Sequence, residues 1–420
     1  MIVTKLKNGL NVIMYPIETS MSAEISMFIK AGSKYETERN NGITHMLEHM
    51  HFRQLEELSQ DMIYYTTECI GSSLRGMTYK DMMHFFMKVR PQYTKESLSL
   101  FKKILVQSNW TDEQFQMEKK IVLNELNEKE DEVFLRSISD EAIWGNHPLS
   151  QQVLGSEEII QKLSLEDIIQ YKENAMCGDN IVLIITGRVD EEDIKESLEK
   201  IGEVPLLLSE QERIETNVKT QFTRKPKIHL ENFSSWNLCD VQISFDIPIS
   251  EIFESEILFL NSVLGGGDGS ILQKEIREKE GLVYDIYSDV DMYEEAAVLS
   301  IYFSVEREML YETLEKVSGI LKEINIIISQ KDVDMNMTFF TENLWFWADD
   351  THELNFQLGY DWIKGKNLLS IEERIERNRK INVLRLREIA EKIFKKENMT
   401  LIIMGPTGKV MKKRLQDIFL

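Results

Sequence analysis

One short apolar segment occurs twice in this chain, and that repeat constrains the fold more than any other feature. Asn180–Gly187 reads N-I-V-L-I-I-T-G, and Asn398–Gly405, 218 residues later, reads N-M-T-L-I-I-M-G. An amphipathic stretch precedes each copy, Leu165-Glu-Asp-Ile-Ile in the first case and Leu386-Arg-Glu-Ile-Ala in the second. A helix followed by a buried strand therefore ends each half. The offset is close to half of the 420 residues, which points to two related domains in tandem. The first half opens with strand patterns at Leu10–Met14 and Ser22–Lys30, followed by long helical patterns. The second opens with an alternating strand at Asp240–Ile247 and turns helical from Ser255. Between them, 206–227 is polar with both charge signs and reads as a linker. The expected fold is α+β: two related α/β sandwich domains, 1–205 and 228–420, each a sheet with helices on one face.

Charge and cysteine content narrow the function classes. Acidic side chains outnumber basic ones by 71 to 49, for a formal charge of −22, which argues against nucleic acid as a partner. Cys69, Cys177 and Cys239 lie far apart and form no C-x-x-C pair, so a disulfide framework is not expected. The first ten residues contain no signal-peptide core, and no apolar run approaches the ~20 residues of a membrane helix. The expected setting is cytoplasmic, without membrane insertion.

The chemistry is concentrated in His45-Met-Leu-Glu48-His49. Residues four apart share a helix face, so both imidazoles can reach one ion. On a helical wheel Met46, Leu47 and Met50 cluster around Ile43, while His45, Glu48 and His49 are centred roughly 190° away. Such a helix buries its apolar stripe and turns two imidazoles and a carboxylate into a cleft. Asn40 or Asn41 is the expected N-cap. His51 falls off the polar face and reads as incidental. A catalytic zinc needs a third protein ligand from another element. A second long helix, opened by a Thr111-x-x-Gln114 capping box, carries Glu118, Glu125 and Glu132 at intervals of seven, a carboxylate row on one face.

These residues resemble the pitrilysin/insulinase metallopeptidases, in particular the half-length group that includes the mitochondrial processing peptidases. His45-x-x-Glu48-His49 is the inverted zinc motif, and Glu125 follows His49 by 76 residues. Asn8-Gly9-Leu10, Ala31-Gly32-Ser33 with Glu36, Gly42-Ile43-Thr44 and Trp144-Gly-Asn-His-Pro148 match further family segments. The resemblance implies one zinc ion held by His45, His49 and Glu125, with Glu48 as general base and Glu118 orienting a ligand. It also implies that substrate pairs with an exposed strand edge, here Gly71–Thr78. Leu74, Arg75 and Gly76 lie within that segment. The family pattern G-G…N-A-x-T is altered at Ser72, Arg75 and Gly76, and two readings of Arg75 stand side by side: a preference for acidic peptide positions, or a side chain that points to solvent. Arg277 and Tyr284 resemble the family pair that assists the oxyanion.

Gly265–Gly269 lacks the Gly-Lys-Ser/Thr of a phosphate loop and reads as a helix stop and turn, with Ser270-x-x-Gln273 as a capping box for the next helix and Gly281 as its stop. The implied function is a zinc endopeptidase acting on short or unfolded peptides in the chamber of a clamshell, of which this chain is one half. The implied assembly is a homodimer, or a heterodimer with a related subunit. A non-catalytic, peptide-binding subunit is the alternative.

Overall fold

The computed structural model describes residues 1–107, 109–207 and 227–419, the side chains of 130–132 excepted. Residues 208–226 of the expected linker lie outside the described residues. The first half runs β1 (Ile2–Lys5), β2 (Asn11–Pro16), β3 (Ala23–Ile29), α1 (Ile43–Arg53), a two-strand hairpin of β4 (Gln54–Leu55) and β5 (Leu58–Ser59), and α2 (Gln60–Cys69). It continues with β6 (Arg75–Thr78), β7 (Met83–Val89), α3 (Thr94–Leu105), α4 (Asp112–Glu128), α5 (Glu130–Trp144), α6 (Glu157–Lys162), α7 (Leu165–Ala175), β8 (Ile181–Gly187) and α8 (Glu191–Gly202). The second half holds β9 (Lys227–Asn232), β10 (Leu238–Ile247), α9 (Glu254–Leu264), β11 (Ile286–Met292), β12 (Ala297–Glu306), α10 (Leu310–Lys322) and α11 (Ile324–Ile327). It ends with α12 (Gln330–Asp349), α13 (Thr351–Ile363), α14 (Ile371–Asn378), α15 (Val383–Ile393), β13 (Met399–Gly405) and α16 (Lys412–Phe419).

The internal repeat is a repeat of topology. The first sheet is ordered β1-β2-β8-β3-β7-β6 and the second β11-β12-β10-β13-β9. Read from the other edge, the second sheet is β9-β13-β10-β12-β11, which matches β2-β8-β3-β7-β6 strand for strand. The pairing senses match as well. β8 is parallel to β2, β13 is parallel to β9, and every other pair in both series is antiparallel. The two duplicated segments, β8 and β13, occupy equivalent interior positions, which is why both are buried almost throughout and, Thr186 and Thr400 apart, apolar. By the same correspondence α9 stands where α1 stands.

With α13 excepted, the core helices of each half pack on one face of its own sheet. In the first, Ile25, Met27 and Ile29 of β3 join Met46, Leu47 and Met50 of α1 and Phe115 and Val122 of α4 in one core. In the second, Val241, Ile243 and Phe245 of β10 pack with α9, α10 and α15. The chain forms two compact units, and each recruits a segment from the far half. Among the described residues the first unit comprises 1–140, 146–207 and 346–370, and the second comprises 141–145, 227–345 and 371–419.

The consequence is clearest in the first unit, where α13 covers the opposite face of the sheet along β3 and β8. Glu24, Ser26 and Phe28 of β3, which alternation assigns to the open face, are consequently buried. Burial pushes the Glu24 carboxyl up. His352 Nδ1 donates to it at 3.0 Å, and Thr186 Oγ1 donates to the Thr351 carbonyl at 2.7 Å. In the second unit the end of α5 contributes Trp144, whose ring meets Tyr293 edge-on at 5.8 Å.

Two local expectations are corrected. The N-cap of α1 is neither Asn40 nor Asn41 but Gly42, at φ 93, with no side-chain cap of its own. Asn40 Oδ1 instead accepts from the Thr37 backbone N–H at 2.6 Å. Ser270 and Gln273 form no capping box, because 273–278 is a π-helical turn and Gln273 Nε2 donates to Asp285 Oδ1 and the Ile286 carbonyl, both at 2.7 Å. Gly281 does end that turn, in the left-handed region at φ 64.

Candidate metal centre

The site begins with the start of α1. Glu36, seven residues ahead of the first helical residue, Ile43, is buried and accepts from the backbone N–H of Gly42 at 2.7 Å and of Thr44 at 2.8 Å. Asn41 Nδ2 adds a third donor at 2.8 Å. A carboxylate here satisfies two of the free helix N–H groups and faces the positive end of the helix dipole. It fixes where α1 starts, and therefore which way His45, Glu48 and His49 face.

Glu125 reaches that face from α4, whose start is fixed by the Thr111–Gln114 capping box. Its Oε2 lies 3.6 Å from His45 Nε2 and 3.5 Å from His49 Nε2. Ligand atoms of the three residues all fall within 4.8 Å of one another. Tetrahedral zinc with bonds of ~2.0–2.2 Å separates its donors by about 3.3–3.6 Å. The three side chains thus fit a zinc ion with one coordination position left over.

The charges are arranged for a cation. Burial, and then the neighbouring His49, push the His45 imidazole down to about 3. Burial acts the same way on His49, but hydrogen bonds to Glu118 and Glu125 outweigh it and hold that ring up at about 9. Glu125, bonded first to His49, is held down at about 2.

Glu48 sits beside this cluster, buried, and accepts from Thr78 Oγ1 at 2.7 Å. Burial pushes its carboxyl up, against the pull of the Thr78 hydrogen bond and of His49. A carboxylate whose proton affinity is raised in this way is a better proton acceptor than a free one. Thr78 belongs to β6, the edge strand of the first sheet. Gly76 on the same strand leaves room that Glu48 and Phe52 fill, since a β-carbon there would lie 2.8 Å from Glu48 Oε1 and from Phe52 Cε2. Arg75 is exposed on the strand's other face. Leu74 precedes the strand and is packed into the core.

Glu118 Oε1 accepts from His49 Nδ1 at 3.0 Å. Arg53, at the end of α1, meets the other oxygen. The Glu132 side chain lies outside the described residues. His51 is fully buried, bonds the Leu47 carbonyl at 2.8 Å and sits edge-on to Phe85 and Trp110, so it belongs to the core. Arg277 and Tyr284 lie in the second unit, Arg277 within the π-helical turn and Tyr284, 90% exposed, just ahead of β11. Glu36 and Arg53 had weaker signals in the sequence than the motif itself. Glu36 was visible only as part of a family segment, and Arg53 as a basic residue in a last helical turn.

The family model described as insulinase (peptidase family M16) matches residues 12–157, and the M16 inactive-domain model matches 162–338. The uncharacterized zinc protease YmxG of Bacillus subtilis is 24% identical over 415 residues, covering 96% of this chain and 98% of that protein. The mitochondrial-processing peptidase subunit beta of Saccharomyces cerevisiae is 29% identical over 206 residues, 48% of this chain and 44% of that protein. A protease from Helicobacter pylori has the same fold, with a TM-score of 0.85 at 20% identity over 96% of this chain and 99% of that one. No helix among the described residues is long and apolar enough to cross a membrane. With both family models matched in order, and with zinc proteases as relatives end to end, this chain belongs to the M16 insulinase family as a half-length member.

Proposed function

We propose that this chain is a zinc-dependent endopeptidase of short or unfolded peptides, with Glu48 as the general base. The observation that carries the reading is the donor set of His45, His49 and Glu125, the carboxylate 3.5–3.6 Å from both imidazoles, with a buried carboxylate of raised proton affinity beside it. Zinc, when bound there, polarises the scissile carbonyl and activates water. Glu48 takes a proton from the attacking water as its oxygen bonds to the carbonyl carbon. It returns that proton to the amine nitrogen as the C–N bond breaks. The free edge of β6 offers backbone groups to an extended peptide, so the substrate lies along the strand whose Thr78 holds the base.

Arg277 and Tyr284 are proposed as donors to the developing oxyanion. The working assembly is proposed as a homodimer, or a heterodimer with a related chain, in line with the relatives named as processing-peptidase subunits. Three free cysteines support a cytoplasmic setting. The alternative, a non-catalytic subunit, draws on the inactive-domain match of the second half. It is also consistent with α9, the counterpart of α1, having no histidine.

The test compares the wild-type protein with Glu48→Gln for zinc content and for cleavage of a quenched peptide library. The expected result is one zinc per chain in both and cleavage in the wild type only. Zinc-loaded wild type that cleaves nothing, or Glu48→Gln that cleaves as well as wild type, overturns the proposal.

A further inference from the structure

We propose that Arg53 is a positioning residue for the metal ligand His49, acting through Glu118. The identity of the ion rests on the reading above, but the geometry of the relay does not. His45, His49 and Arg53 are spaced by four along α1 and form one stripe, and Glu118 of α4 spans the last two of them. Arg53 Nε donates to Glu118 Oε2 at 2.7 Å and Nη2 lies 2.6 Å from the same oxygen. Oε1 is left for the His49 Nδ1–H at 3.0 Å. The guanidinium is itself held from behind, since Nη1 donates to Gln60 Oε1 at 3.0 Å and Gln60 Nε2 donates to the Tyr64 hydroxyl at 2.8 Å.

A carboxylate can rotate about its last bond, and an imidazole can rotate about its own. Fixing Glu118 at one oxygen removes the first freedom, and the bond from the other oxygen to Nδ1 removes the second. His49 Nε2 is then aimed at the cluster with His45 and Glu125. The two ligand histidines differ in this respect. His45 Nδ1 is buried and has no hydrogen-bond partner among the described residues, so the Glu118–Arg53 relay alone orients an imidazole in this site. Glu118 and Arg53 are both largely buried, with side-chain exposures of 8% and 15%. Water therefore has little access to replace a lost guanidinium, and a lysine would supply the charge without the two-pronged hold or the Gln60 tie.

The experiment measures zinc affinity by competition with a chromophoric chelator for wild type, Arg53→Gln, Arg53→Lys, Glu118→Gln and the double variant Arg53→Gln/Glu118→Gln. Metal-free melting temperatures are recorded alongside. Groups behind a ligating histidine change metal affinity by about 10–100-fold when lost. Arg53→Gln is expected to weaken zinc at least about tenfold. Arg53→Lys, which keeps the charge but not the two-pronged hold, should recover only part of that loss, and the double variant should bind like Glu118→Gln alone. An Arg53→Gln affinity within about twofold of wild type overturns the proposal, as does an equal loss in both Glu118 backgrounds. If Arg53→Gln does not fold, Arg53→Lys serves, with a smaller loss that must also vanish in the Glu118→Gln background. Zinc affinity is read without substrate, so a zinc-binding protein that cleaves no peptide would remove the peptidase reading and leave this one standing.

Discussion

Substituting Gly359 by alanine sets two well-characterised effects against each other. In a helix interior, Gly→Ala is favourable by about 1 kcal/mol, because alanine has less backbone freedom to lose. Gly359 lies inside α13, but its missing side chain faces the sheet, and a β-carbon there would overlap three atoms of the Phe28 ring. Phe28 has little room to yield. It is fully buried, stacks on His84 at 4.0 Å and meets Phe356 at 6.0 Å. Relief therefore has to come from α13 lifting away, which loosens contacts along the helix, including those of buried Leu358. Overpacking of this kind costs about 1–3 kcal/mol, and the backbone must move as well, so the packing term exceeds the propensity gain. The expected net loss is up to about 2 kcal/mol, a fall in melting temperature of up to roughly 8 °C for a unit of this size. Gly319 in α10 supplies the control, since nothing lies within 4 Å of a β-carbon placed there. Gly319→Ala should raise stability by up to about 1 kcal/mol. Thermal and urea denaturation of both variants, followed by circular dichroism, is the assay. If Gly359→Ala melts higher than wild type, α13 does not press on β3 as described. A second check is Phe28→Leu, which should lessen the penalty of Gly359→Ala in the double variant.

Two further predictions concern charge. Burial pushes the Lys172 ammonium down to about 7, although it donates to the Val106 carbonyl at 2.7 Å and lies 5.0 Å from the Trp110 ring centre. Between about pH 7 and the unfolded value near 10.4, the unfolded chain holds the extra proton, so this residue makes stability rise with pH. The melting temperature of Lys172→Met relative to wild type should therefore be highest at pH 6 and decline toward pH 10, whereas a pH-independent difference refutes the burial argument. Arg75 projects into solvent from the edge strand, and a cross-strand charge pair is worth about 0.2–1 kcal/mol. A peptide series with Glu or Lys at successive positions should show a preference of up to about fivefold for Glu at one of them, reversed in Arg75→Glu; an identical preference in both proteins removes Arg75 from recognition.

What could be read from the sequence was local or periodic. His45, Glu48 and His49 lie within two helical turns, so spacing alone placed them on one face, and β8 and β13 announced the tandem fold because interior strands are apolar almost throughout. What could not be read depends on contacts between distant segments. Alternation in β3 assigns Glu24 and Ser26 to water, and nothing in the strand indicates that α13, more than 300 residues later, covers them. The Asn40-Asn41 pair carried the right composition for a cap, but Glu36 takes the role because the chain folds back to set its carboxylate on the helix end. Ser270 and Gln273 had the spacing of a capping box, and Gln273 is drawn instead to Asp285 and the start of β11.

The two sheets together separate what the fold needs from what the chemistry needs. α1 and α9 occupy equivalent places in equivalent frames, and both bury an apolar stripe against their sheets. The start of α9 is held by Glu256, whose Oε2 accepts from the Phe253 backbone N–H at 2.9 Å and whose carboxylate also pairs with Arg385. That carboxylate holds the start of α9 and ties it to Arg385 of α15. Glu36 holds the start of α1, which leaves the polar face of α1 free of any duty in helix initiation. His45, Glu48 and His49 are thus additions to a helix that its apolar stripe and its cap already specify. Polar substitutions on that face are then expected to alter metal binding and proton transfer while the two-sheet frame persists, as it does around α9 with no histidine on the corresponding helix.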